Sequence, residues 1–178
     1  MAIIKMIQRT TITLLYLVFA APSLAATEQF TGLVTAVADG NTISVLTAQN
    51  KQQVKIRLYG IDCPESRRAF GNRAKQATSE AVFGKNITVQ PIDTDPNGLT
   101  AAVVLMPIGK KSLNEHLVRE GLASVNTKYC TQEDICEPLR RLEKAAKSQK
   151  RGMWEDKTPV SSEGWQFIPG GSGGSPGD

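Results

Sequence analysis

Phe30-Thr31-Gly32-Leu33-Val34-Thr35-Ala36-Val37-Ala38-Asp39-Gly40-Asn41-Thr42-Ile43-Ser44-Val45-Leu46 reads as two β-strands joined by a tight turn. Val and Thr dominate both arms, and Thr42 to Leu46 alternates polar with apolar residues, the period of a strand with one buried face. Asp39-Gly40-Asn41 supplies turn chemistry between them, since Asp and Asn bond their own backbone and Gly tolerates the bend.

Outward from this hairpin, Gln49-Asn50-Lys51 marks a second turn, and Val54-Lys55-Ile56-Arg57-Leu58-Tyr59 alternates again, so three antiparallel strands form a meander. Residues 67–83 then place Phe70, Ala74, Ala77, Ala81 and Val82 at helical spacing before Gly84, and residues 87–92 and 100–106 read as two further strands. Ser112 can cap a helix over 113–120 that Gly121 stops. A last helix is expected from about Glu137, through Leu139, Leu142, Ala145 and Ala146, to Arg151-Gly152, with Trp154 closing onto the core. The early connections are too short for parallel crossovers. The order therefore predicts an α+β, mainly β fold: a five-stranded OB-type β-barrel with three helices.

With 178 residues, 40% hydrophobic and 21% charged, the chain excludes collagenous, coiled-coil, polytopic membrane and wholly disordered classes. Residues 1–25 carry Lys5 and Arg9 without an acid. A short apolar run follows through Ala21, then Pro22 and the small residues Ser23 and Ala25. This reads as a signal peptide cleaved near Ala25/Ala26, the run being shorter than the ~20 residues of a membrane span. The expectation is an exported protein, periplasmic or secreted, with no membrane anchor after cleavage. Loss of Lys5 and Arg9 leaves 19 basic against 17 acidic residues, a net charge of about +2, so global charge says little about nucleic acid. The domain is expected over 26–157, and 158–178, ending Pro169-Gly170-Gly171-Ser172-Gly173-Gly174-Ser175-Pro176-Gly177-Asp178, reads as a flexible tail.

Cys130 and Cys136 bracket a short polar segment, and in an oxidising compartment a local disulfide is their natural pairing, leaving Cys63 free. Zinc would need a fourth ligand, and the single histidine, His116, has no partner at metal-like spacing. There is no Gly-rich phosphate loop and no paired-histidine motif. Arg140-Arg141, Lys144, Lys147 and Lys150-Arg151 form a basic run on the last helix, either a solvated face or a surface that steers a polyanion.

The residues with the most chemistry are Asn41 in the first turn and Arg57, Asp62 and Glu65 where the third strand ends. In a meander these can meet at one barrel end. Carboxylates and an amide oxygen are hard ligands suited to Ca²⁺, and an arginine can hold a phosphate bidentately. The bland alternative is a turn residue and a surface glutamate.

Four segments in register, Val37-Ala38-Asp39-Gly40-Asn41-Thr42, Ile56-Arg57-Leu58-Tyr59-Gly60-Ile61-Asp62-Cys63-Pro64-Glu65, Ser112-Leu113-Asn114-Glu115-His116-Leu117-Val118-Arg119-Glu120-Gly121-Leu122-Ala123 and Gly152-Met153-Trp154, resemble the staphylococcal-nuclease-like, or thermonuclease, family over about residues 29–155. The resemblance implies Ca²⁺-dependent hydrolysis of phosphodiesters in DNA and RNA by an exported protein; the chain is expected to be a monomer. It implies metal ligands at Asn41, at Asp62 and at the Cys63 backbone carbonyl. Glu65 becomes the general base or water-orienting carboxylate, Arg57 the phosphate clamp, and Tyr129 a substrate contact.

Two positions depart from the family. Its turn is Asp-Gly-Asp-Thr, and Asn41 replaces the second Asp, keeping an oxygen but no charge. Its Asp-x-Tyr-Gly-Arg segment is here Asp95-Pro96-Asn97-Gly98-Leu99, so a second phosphate-binding arginine is replaced by Leu99. Arg67 and Arg68 are candidates for a substitute cation, against a solvated helix start. The Cys63 side chain is expected to pack beneath the loop, with a reactive thiol as the alternative. The sequence therefore leads to a nuclease-fold phosphodiesterase with weak or absent activity. The alternative is a non-catalytic binding module for nucleic acid, oligosaccharide or protein.

Overall fold

The computed structural model describes residues 28–155 apart from residue 110. The expected signal peptide, residues 1–25, and the tail, residues 158–178, lie outside the described residues. Eleven elements follow in order: β1 (Phe30–Val37), β2 (Thr42–Thr47), β3 (Gln53–Leu58), β4 (Ile61–Asp62), α1 (Ala69–Val82), β5 (Asn86–Thr94), β6 (Thr100–Leu105), α2 (Leu113–Arg119), β7 (Ser124–Val125), α3 (Glu133–Ser148) and a 3₁₀ turn (Gly152–Trp154).

Five strands close a barrel in the order β1-β2-β3-β6-β5, mixed in direction, and with the three helices this is the OB-type architecture. Alternate positions point inward, where Val34, Ile43, Val45, Ile56, Leu58, Val89, Ala102 and Val104 are buried. The barrel closes where β3 meets β6 in parallel, pairing Ile56 with Thr100, Arg57 with Ala101 and Leu58 with Ala102. Pro91, which has no N–H for a ladder, sits where the β5–β6 register shifts between Pro91 and Asp93, a place that tolerates it. Beyond the barrel strands, β4 and β7 form a separate two-stranded pair, Ile61 with Val125 and Asp62 with Ser124.

Helix α2 packs through the buried Leu113, Leu117 and Val118, and α3 through Cys136, Leu139 and Ala146. Ser112 caps α2, its hydroxyl accepting the Glu115 N–H at 3.3 Å. Helix α3 begins at Glu133, four residues before the expected Glu137, and carries Pro138 inside it. Glu133 and Asp134 favour this start because acids in a first turn meet the positive end of the helix dipole. Arg140 reaches back to both Glu133 and Glu137.

Cys130 and Cys136 are joined by a disulfide, leaving Cys63 free. A loop this short contributes about 2 kcal/mol on the chain-entropy account. Gly60, at φ +75°, lies against it, and a Cβ there would stand 2.6 Å from the Cys130 sulfur. Among the described residues no helix is long and apolar enough to cross a membrane.

Candidate functional site

The first turn is braced from within and tied to α1 and to β3. Asp39 folds its carboxylate back to accept the Asn41 N–H at 2.9 Å. Thr78, buried on α1, donates to the Gly40 carbonyl at 2.6 Å, and the Asn41 carbonyl accepts the Leu58 N–H at 2.8 Å. Gly40 leaves room for this contact: a Cβ there would stand 2.7 Å from both the Cys63 sulfur and the Ala74 Cβ. Asn41 is itself only 3% exposed, and its side-chain amide donates to the Ile61 carbonyl at 3.0 Å. The turn is thereby tied to β4.

Arg57 leaves β3 between two carboxylates, 3.9 Å from Asp62 and 3.9 Å from Asp95. These distances are too long for a bidentate pair, so the guanidinium is flanked rather than consumed. Asp95 shapes the β5–β6 hairpin, its Oδ1 accepting the N–H groups of Asn97 at 2.8 Å and Leu99 at 2.9 Å. Asp62 accepts the side-chain amide of Asn126 at 2.5 Å. Asn126 follows β7, whose Val125 N–H donates to the Glu143 carboxylate of α3 at 3.0 Å.

These groups surround a cavity of about 450 Å³, lined by Arg57, Asp62, Asp95, Asn126, Lys128 and Tyr129 among others. The Lys128 ammonium lies over the Tyr129 ring, 5.0 Å from its centre, and Tyr129 is 45% exposed. The far wall is held by Tyr59. Its hydroxyl accepts the N–H groups of Thr131 at 2.9 Å and Gln132 at 3.0 Å.

Of the residues singled out from the sequence, Arg57, Asp62 and Tyr129 share this cavity, and Asn41 reaches its β4 edge through Ile61. Glu65, Arg67 and Arg68 are exposed on the segment between β4 and α1 and do not line it. Leu99 is half-buried in the hairpin and also lies off the wall. Cys63 packs against Gly40 and Ala74. Burial pushes its thiol far above the ordinary value, reinforced by Asp39 and Asp62. A thiol kept protonated is a poor nucleophile.

Asp95, Asn126 and Lys128 were missed by sequence reasoning. Asp95 had a signal, since Asp-Pro-Asn-Gly is turn chemistry that needs an acceptor on its first residue. For Asn126 no local signal exists, because its partner is 64 residues away.

Burial alone would raise the Asp95 carboxyl, but the Leu99 and Asn97 N–H groups and Arg57 outweigh it and hold it below its ordinary value of 3.8. A depressed native value stabilises the fold fully above the unfolded value, and that contribution disappears as pH falls through the native one. Asp95→Asn is thus expected to lower stability by about 1 kcal/mol at neutral pH. Its difference from wild type should shrink to nothing in strong acid. Urea denaturation across pH 2–7 checks this, and a difference that persists unchanged at the acid end would contradict it.

Residues 55–156 match the family model of the staphylococcal nuclease homologues. The chain is similar to a protein described as micrococcal nuclease in Shigella flexneri, 35% identical over 152 residues, or 82% of this chain and 84% of that protein. An Escherichia coli protein described as an uncharacterized endonuclease is 35% identical over 158 residues, 89% of this chain and 97% of its own. Protein ParB of Escherichia coli is 35% identical over 167 residues, 89% of each chain.

Proposed function

The chain belongs to the staphylococcal nuclease family, and on that footing we propose that it binds a phosphodiester of DNA or RNA at the barrel mouth, as an exported protein with strongly reduced hydrolysis. The observation that carries this reading is Arg57, held between Asp62 and Asp95 at 3.9 Å from each, beside the exposed Tyr129. A planar guanidinium with donors to spare suits a phosphate, and an aromatic face suits a base. The disulfide supports an oxidising compartment, in keeping with export of the chain after cleavage near Ala25.

Family membership suggests calcium. The donors around Asp62 fit a resident calcium ion poorly. A hard dication takes six to eight oxygens. Asp62 offers one carboxylate, already bonded to Asn126 and flanked by Arg57, while Asp39 is turned back on its own turn. Among the described residues no group of three or more His, Cys, Asp or Glu converges as a metal site. Hydrolysis by water needs a carboxylate at the attacking oxygen and a cation on the developing charge. Arg57, lining the cavity, is the proposed cation for the second role, whereas Glu65 lies outside the cavity wall.

Binding of fluorescein-labelled single-stranded DNA and RNA to the purified chain, followed by anisotropy, tests this reading alongside a cleavage assay in millimolar Ca²⁺. Arg57→Ala is expected to weaken binding about 10-fold or more, the worth of a charge-assisted hydrogen bond. Absence of any oligonucleotide binding would refute the reading. Efficient cleavage abolished by Glu65→Gln would refute the reduced chemistry.

A further inference from the structure

Two side-chain amides bond to the two consecutive residues of strand β4. Asn41 donates to the Ile61 carbonyl at 3.0 Å from the first turn, and Asn126 donates to the Asp62 carboxylate at 2.5 Å from the segment after β7. Neither amide can be turned round. A carbonyl only accepts, so Asn41 must present its NH₂ to Ile61. The Asn126 Oδ1 accepts the N–H groups of Lys128 and Tyr129, each at 3.1 Å, which aims its NH₂ at Asp62. The Asn126 backbone N–H also donates to the Gly60 carbonyl at 2.9 Å, so Asn126 is tied to the residue before β4 as well as to Asp62.

A carboxylate and a neighbouring carbonyl held in place by partial positive charge are what a bound cation would otherwise organise. We propose that the Asn41 and Asn126 amides substitute for a divalent cation at the Ile61–Asp62 strand, so that the pocket engages its phosphate without calcium. Asn126 is a positioning residue here. It orients Asp62, and Asp62 with Asp95 sets where Arg57 stands. The Asn126–Tyr129 segment delivers Asn126, Lys128 and Tyr129 to one wall, so loading the amide onto Asp62 also places the ammonium and the ring. The ligand in this inference rests on the nucleic-acid reading above; the claim about the cation does not.

The test uses the full chain with two readouts, thermal melting and anisotropy of a fluorescein-labelled single-stranded oligonucleotide, each in 10 mM Ca²⁺ and in chelator. Wild type is expected to melt within about 1 °C in the two conditions and to bind the oligonucleotide equally in both. Asn126→Asp sets a second carboxylate against Asp62. It should melt several degrees lower in chelator and recover in calcium, whereas Asn126→Ala should show no calcium response. A purely structural Asn126 would give an Asn126→Asp variant that calcium does not rescue, and that result overturns the proposal. So does a wild-type chain that calcium stabilises by several degrees, or one whose oligonucleotide binding is lost in chelator. If no condition yields oligonucleotide binding but the melting pattern holds, the nucleic-acid reading fails and the amide substitution stands.

Discussion

Replacing Asn41 by Asp and Leu99 by Arg in one chain is expected to raise calcium-dependent cleavage of single-stranded DNA about 10⁴-fold over wild type. The arginine restores a cation of the kind whose removal costs ~10²–10³ in rate when it faces a developing negative centre, and the carboxylate at 41 restores a charged oxygen ligand for the calcium ion. The Asn41 side chain bonds the Ile61 carbonyl, whereas Leu99 meets Asp95 only through its backbone N–H, so the two side chains share no partner and their effects should multiply. A carboxylate at 41 would sit almost fully enclosed and face the Ile61 oxygen, a repulsion that a cation relieves. The Asn41→Asp single variant should therefore melt lower in chelator and recover in millimolar calcium, where the cation, held by carboxylates at 41 and 62, displaces the Asn126 amide from Asp62. An arginine at 99 starts from the hairpin whose Asp95 already flanks Arg57. A cleavage assay with and without calcium reads the result. A folded double variant that stays silent would show that more than these two charges is missing, with Glu65 the next residue to examine.

Asn114→Ala is expected to cost about 3–5 kcal/mol of stability. Asn114 is 1% exposed and sits in the first turn of α2. Its Oδ1 accepts the Val104 N–H at 3.1 Å, and its amide donates to the carbonyls of Tyr59 at 2.9 Å and Ala102 at 3.3 Å. One side chain thus joins α2 to β6 and to the residue after β3. Truncation orphans buried backbone groups and opens a void beside them. Asn114→Asp keeps the acceptor but turns a carboxylate on two carbonyls, and should fare no better. Urea denaturation measures both, and a loss below 1 kcal/mol for Asn114→Ala would mean that water takes the vacated positions.

What was legible in the sequence was local. The strand alternation from Phe30 to Leu46 and the Asp39-Gly40-Asn41 turn carry their own reasons, and the structure has β1 and β2 there. The expected start of α3, near Glu137, was four residues late because the expectation followed the apolar spacing from Leu139 onward. The acids that open the helix, Glu133 and Asp134, lie inside what looked like a disulfide loop. The β4–β7 pair is two residues on each side, below the length at which periodicity has meaning. Arg57 and Asp62 could be grouped from their spacing, since β3 and β4 are nearly continuous. Asn126 could not, because only the closed fold brings it to Asp62.

The parallel β3–β6 junction is the barrel's shortest ladder, three paired positions, and among the described residues its only parallel one. Its central pair contains Arg57, and the hairpin bearing Asp95 springs from its edge. The cavity beside Arg57 therefore sits over the ladder with the fewest pairings to hold the cylinder closed. A phosphate bridging Arg57 to the hairpin would act as a latch, and its affinity would be diminished by whatever fraction of molecules stand ajar. Occupancy of the mouth and breathing of the wall become one equilibrium, observed from two sides.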